Sequence, residues 1–154
     1  MPESPIPLDV ADATPEWLAG ALGVPVVGVT VLDAHSGTTG RARLGIEYDP
    51  GARGPASVFL KLAPFDERQR RFVDAVGLGV AEARFYRDLG AEIPIRIPEV
   101  HHAELDDDGR FVMVLEDLEA PGLRFPSPDD PDVADFFDTD VCKLAHGVSS
   151  IEMN

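Results

Sequence analysis

Cysteine occurs once in this chain of 154 residues, at Cys142, and lysine only twice, at Lys61 and Lys143. A single cysteine excludes an internal disulfide and leaves zinc without its usual thiolate clusters, which suits a reducing compartment. Positive charge is scarce altogether: 13 basic against 28 acidic groups give a formal charge of −15, which repels nucleic acid and anionic membrane, so neither is an expected partner. No apolar run approaches the roughly 18 residues of a membrane span. The opening MPESPIPLDV has neither the basic start nor the apolar stretch of a secretory signal, so a cytoplasmic location is expected. What is present, 44% hydrophobic and 27% charged residues, fits a chain that buries one core, as a single domain or as two small lobes.

The patterning is mixed. Thr14 offers an N-cap with Pro15 at the first helical position, and Trp17, Leu18 and Leu22 follow on one side, which predicts a short opening helix. PVVGVTVL at 25–32 alternates, HSGTTG interrupts it, and RARLGIEY at 41–48 resumes with Ala42, Leu44, Ile46 and Tyr48 on one face. A third strand, ASVFLKL, follows the turn DPGARGP. After Pro64 the period becomes helical: Asp66 caps DERQRRFVDAV, the pair Gly77 and Gly79 breaks it, and VAEARFYRDL runs to Gly90. Two further strands, IPEVHHAEL and RFVMVLEDL, flank a hairpin signal at Asp108-Gly109. The expectation is an α+β fold: five antiparallel strands, a helical segment between the third and fourth, a short opening helix and one C-terminal helix. In that last helix Val133, Phe137, Val141, Leu144 and Val148 form an apolar stripe.

Three segments carry candidate chemistry. Lys61 and Phe59 share one face of their strand while Val58, Leu60 and Leu62 share the other. Helical spacing puts Glu82 on a stripe with Leu78, Phe85 or Tyr86, and Leu89, facing the sheet. A buried cation and a buried anion on adjacent elements should meet, because each is costly alone. The alternative is a lysine snorkelling at a sheet edge and a glutamate on a solvated helix face. In the turn, Gly37, Thr38, Thr39 and Gly40 offer backbone amides and hydroxyls suited to phosphate oxygens, helped by Lys61, Arg41 or Arg43 and magnesium, or they form an ordinary turn. Glu116, Asp117 and Leu118 end the last strand as a strap whose backbone can read a purine edge, or as a plain acidic strand end. His101, His102 and Glu104 do not form a metal site, since neighbours on a strand point to opposite faces.

In this order, GTTGRARL at 37–44, SVFLKLAP at 57–64, EARFYRDLGAEIPIRIPEV at 82–100 and FVMVLEDL at 111–118 make the chain resemble the small N-terminal lobe of protein-kinase-like phosphotransferases. The likeness is closest to the aminoglycoside, choline and ecdysteroid kinase-like family. The resemblance implies that Lys61 would hold the α- and β-phosphates of ATP and that Glu82 would orient it. Residues 37–40 would cover the phosphates, and Glu116 to Leu118 would bind adenine through the backbone. It also implies residues 1–23 as an N-terminal extension, 24–120 as the nucleotide-binding lobe, 121–132 as a linker and 133–154 as the start of a truncated large lobe. ATP and magnesium would be the cofactors, and a small-molecule acceptor would require that large lobe. His35, His101, His102 and His146 are followed two places later by Gly37, Ala103, Glu104 and Val148, so the His-x-Asp pattern of a catalytic loop is missing and no catalytic residue is assigned. The alternative is a non-catalytic kinase-like module that docks a partner, or a second copy of itself, through the C-terminal helix.

Overall fold

Asp9 and Thr14 begin the ordered architecture by capping: Asp9 closes a single 3-10 turn at Val10–Asp12, and the Thr14 hydroxyl accepts from Trp17 N–H at the start of α1, Pro15–Leu22. The computed structural model describes residues 5–89 and 96–119. The expected segments 121–132 and 133–154 therefore lie outside the described residues, as do the first four residues and Gly90.

Five strands follow: β1 Val26–Ser36, β2 Gly40–Tyr48, β3 Ser57–Leu62, β4 Val100–Leu105 and β5 Phe111–Glu116. They form one antiparallel sheet in the order β1-β2-β3-β5-β4. The described residues are thus α+β, with a five-stranded antiparallel sheet and three α-helices. Strand β1 runs on through Asp33–Ser36, past the expected end at Leu32 and into His35 and Ser36, which the sequence assigned to the turn. The outer face of this edge strand is solvated, so polar side chains do not break it.

Period-two alternation divides the sheet into two apolar clusters. Ala42, Leu44, Val58, Leu60, Leu62, Val112 and Val114 point to one side, where Trp17 and Leu18 of α1 cover them. Phe111, Met113 and Leu115 point to the other and, with Ala83, form the lower cluster, with Phe59 and Tyr86 packed at its margin. Removing this surface from water supplies the driving force for the fold, about 1.5–3 kcal/mol for each large aliphatic side chain.

Between β3 and β4 lie α2, Glu67–Val76, and α3, Leu78–Arg84. Asp66 caps α2 by accepting from Arg68 and Gln69 N–H, and Gly77, at φ +66°, ends it in the left-handed conformation that glycine adopts without strain. Gly77 alone makes the break. Gly79, expected to share it, lies buried inside α3. A π-helical turn, Phe85–Leu89, continues α3. The β4–β5 hairpin turns at Asp106–Gly109, where Gly109 N–H donates to Asp106 C=O and Gly109 takes φ +80°.

The face that α3 turns to the sheet differs from the expected one. Leu78 and Leu89 are about half exposed, whereas Gly79 and Ala83 are buried and Tyr86 packs on the lower cluster. The helix lies so close to Phe111 that only a residue without a side chain fits at position 79. Close approach therefore selected small residues for the contact stripe, and Glu82 stands beside that stripe.

Candidate functional site

Strand register places two rows of side chains on the face of the sheet that carries Lys61. In the first, His35 of β1 is opposite Arg41 of β2, which is opposite Lys61 of β3, which is opposite Met113 of β5. In the second, Asp33, Arg43, Phe59 and Leu115 follow in the same order. The rows lie two residues apart along each strand, about 7 Å. The first row is nearer the glycine turn and is basic. The second mixes a carboxylate, a guanidinium and an aromatic ring.

Lys61 Nζ donates to Glu82 Oε1 at 2.5 Å. The lysine side chain is 16% exposed and the glutamate 32%, so the pair sits at the rim of the covered area with one side open. Phe59 and the π-turn's Tyr86 flank it within the lower cluster. Burial and the charge of Glu82 both push the Tyr86 phenol above its ordinary pKa of 10.0, which keeps it protonated.

The second row is tied down by Asp117, a strap residue that the sequence singled out for its backbone and not for its side chain. Asp117 is almost fully buried and accepts from Arg43 Nε at 3.1 and 3.2 Å and from Arg43 Nη2 at 3.0 Å. Ser57 Oγ donates to it at 2.6 Å, and Glu119 N–H at 3.1 Å. Arg43 Nη1 also donates to Glu119 Oε2 at 2.6 Å. Burial raises the Asp117 pKa, but the bonds from Arg43, Ser57 and Glu119 outweigh it and hold the group below its ordinary 3.8. This network joins β2, β3 and the strap after β5. Arg43 is therefore committed to carboxylates and is not the phosphate helper that the sequence offered as an alternative to Arg41.

The strap is held at Glu116 as well. Its carboxylate accepts from Arg96 Nη2 at 2.8 Å and from Glu99 N–H at 3.0 Å, and the Glu99 bond, followed by the Arg96 bond, draws its pKa below the ordinary 4.5. The Glu116 N–H donates to Glu99 C=O at 2.8 Å. Of the three strap residues, Glu116 thus has its N–H engaged within the sheet, Asp117 has its side chain engaged, and Leu118 lies half-buried in the following turn.

The glycine turn is built more tightly than the sequence suggested. A side chain at Gly40 would come within 2.5 Å of Phe65 Cε1 and 2.6 Å of Ala63 O, so this glycine answers a packing need. Thr39 is buried, and Gly37 N–H donates to Thr39 C=O. The Ser36 hydroxyl accepts from Phe65 N–H at 3.0 Å. Gly37 and Thr38 line a recess against Arg68, Gln69 and Phe72 of α2, apart from the slot between the two rows.

That slot has a volume of about 290 Å³ and is lined by Asp33, His35, Arg41, Arg43, Phe59 and Glu119. It is at the lower end for small-molecule sites, roughly 300–1,000 Å³. On β4, His101 occupies an irregularity in the register, so strict alternation does not apply there. His102 bonds Glu104 at 3.2 Å and meets Trp17 edge-on, while His101 Nε2 has no partner among the described residues.

No family model matches the chain, and no curated protein or solved structure shows significant similarity to it. The resemblance noted in the sequence consequently rests on its motifs alone.

Proposed function

We propose that the chain is the nucleotide-binding lobe of an ATP-dependent small-molecule phosphotransferase of the aminoglycoside, choline and ecdysteroid kinase-like kind. One observation carries the reading: Lys61, on the central strand, is held by Glu82 from α3 and is directly opposite Arg41, which lines the slot open to solvent although Lys61 itself does not. An ammonium fixed by a carboxylate keeps free N–H donors for a second acceptor, which is what a phosphate oxygen needs.

The polarity of the slot supports the same reading. Its basic row suits phosphates and its second row suits a base, with Phe59 offering an aromatic face on which a purine can stack. Phosphoryl transfer is chiefly positioning and charge neutralisation, so a lobe of this kind holds the donor nucleotide. Magnesium would arrive on the phosphates; among the described residues no group of three or more His, Cys, Asp or Glu gathers to hold it. With no His-x-Asp pattern in the 154 residues, the lobe is proposed to bind nucleotide without catalysing transfer on its own.

Titration with magnesium ATP, followed by backbone amide shifts, tests the reading. Binding is expected to perturb Phe59, Lys61 and Arg41, and Lys61→Ala is expected to weaken it by about tenfold, the worth of a single charged hydrogen bond. Absence of binding, or Lys61→Ala binding as tightly as the parent, defeats the proposal.

A further inference from the structure

We propose that the row His35, Arg41 and Lys61 is an anion site for a phosphate chain in which Arg41 is a second anchor beside Lys61; this rests on the nucleotide reading and specifies how the phosphates are held. Two arginines project from this face of β2, and the structure separates them. Arg43 has its guanidinium on Asp117 and Glu119. Arg41 is exposed and makes no ion pair or hydrogen bond with any described residue.

Arg41 is also directly opposite Lys61, and His35 is directly opposite Arg41. Arg41 and Lys61 are like charges in directly opposed positions of an antiparallel pair, an arrangement that destabilises the sheet. Glu82 answers the charge of Lys61 from the helix side, but the nearest carboxylate row on the sheet, at Asp33, faces Arg43. In a chain of net charge −15, with 28 acidic groups available, Arg41 and Lys61 still face each other on neighbouring strands, with His35 opposite Arg41. A bound anion relieves that repulsion, and a row about 10 Å across is wider than one phosphate group, so the chemistry it fits is a phosphate chain.

Calorimetric titration of the full chain with inorganic tripolyphosphate, magnesium ATP and adenosine separates the anion from the base. Arg41→Gln is expected to weaken both tripolyphosphate and magnesium ATP by about tenfold, and Arg41→Lys to recover most of the loss. Tripolyphosphate is expected to raise the thermal midpoint of the parent more than that of Arg41→Gln, whose own midpoint, freed of the facing charge, should be no lower than the parent's. If Arg41→Gln binds both ligands as tightly as the parent, Arg41 is no anchor, whatever Lys61→Ala shows. If tripolyphosphate binds in an Arg41-dependent way and magnesium ATP binds no tighter, the anion site stands and the nucleotide reading falls. If the parent binds neither, both fall.

Discussion

Replacing Asp117 by alanine is expected to destabilise the folded chain by about 3 kcal/mol, seen as a lower urea midpoint at unchanged slope. The carboxylate is almost wholly buried and takes hydrogen bonds from Arg43, Ser57 and the Glu119 amide. Its loss leaves the Ser57 hydroxyl, itself buried, without its acceptor and a guanidinium that has lost its main partner. The value falls at the low end of the range for breaking a buried pair because Arg43, 22% exposed, keeps Glu119 and some water. Asp117→Asn preserves the shape and should cost less. A triple replacement by Ser57→Ala, Arg43→Met and Asp117→Leu should recover much of the loss, since no polar group is then stranded.

The same residue gives an acid signature. Its folded pKa lies below the ordinary 3.8, so its contribution is fully present above that value and disappears as pH falls through the folded pKa. The stability gap between the parent and Asp117→Asn should therefore be constant near neutrality and close below about pH 4. A gap that is absent at pH 7, or that widens in acid, contradicts the assigned role.

The legibility of this chain follows from the range of its interactions. Period-two alternation is local and strong, so the opposite faces of Lys61 and Leu60 were readable, and Leu60 is fully buried as expected. Caps are local too: Asp66, Gly77 and Gly109 stand where their chemistry requires. The partnership of Lys61 and Glu82 was readable, but on a mistaken helix face. Hydropathy gives weight to Leu78 and Leu89, whereas a helix pressed against a sheet contacts it through its smallest residues, here Gly79 and Ala83. Asp117 was the least readable, because its meaning depends on Arg43, 74 positions away, and on a register that no local pattern reveals. The only trace was an acidic residue directly after a strand with five consecutive buried positions, where an exposed strand end and a buried anchor look the same.

That close helix contact links fold to site, and Gly79→Ala is expected to test the link at a cost of about 2 kcal/mol. A Cβ at position 79 would overlap Cε1 and Cζ of Phe111, whose ring is 2% exposed and walled in by the lower cluster. Alanine favours a helix over glycine by about 1 kcal/mol, so a net loss means that overpacking has won. The ring is enclosed, so the easier relief is for α3 to move off the sheet. Glu82 is one turn further along α3 and moves with it, so its hold on Lys61 loosens. Gly79→Ala should thus lower stability and weaken the proposed magnesium ATP binding together, though residue 79 lies a turn away from the Lys61–Glu82 pair. Adding Phe111→Leu, which removes the ring and makes room for the methyl group, should restore part of both, giving a favourable coupling of about 1 kcal/mol or more between two changes that are each destabilising alone. Additive losses would mean that the ring and the helix do not constrain each other. Recovered stability without recovered binding would mean that the position of α3 does not govern Lys61.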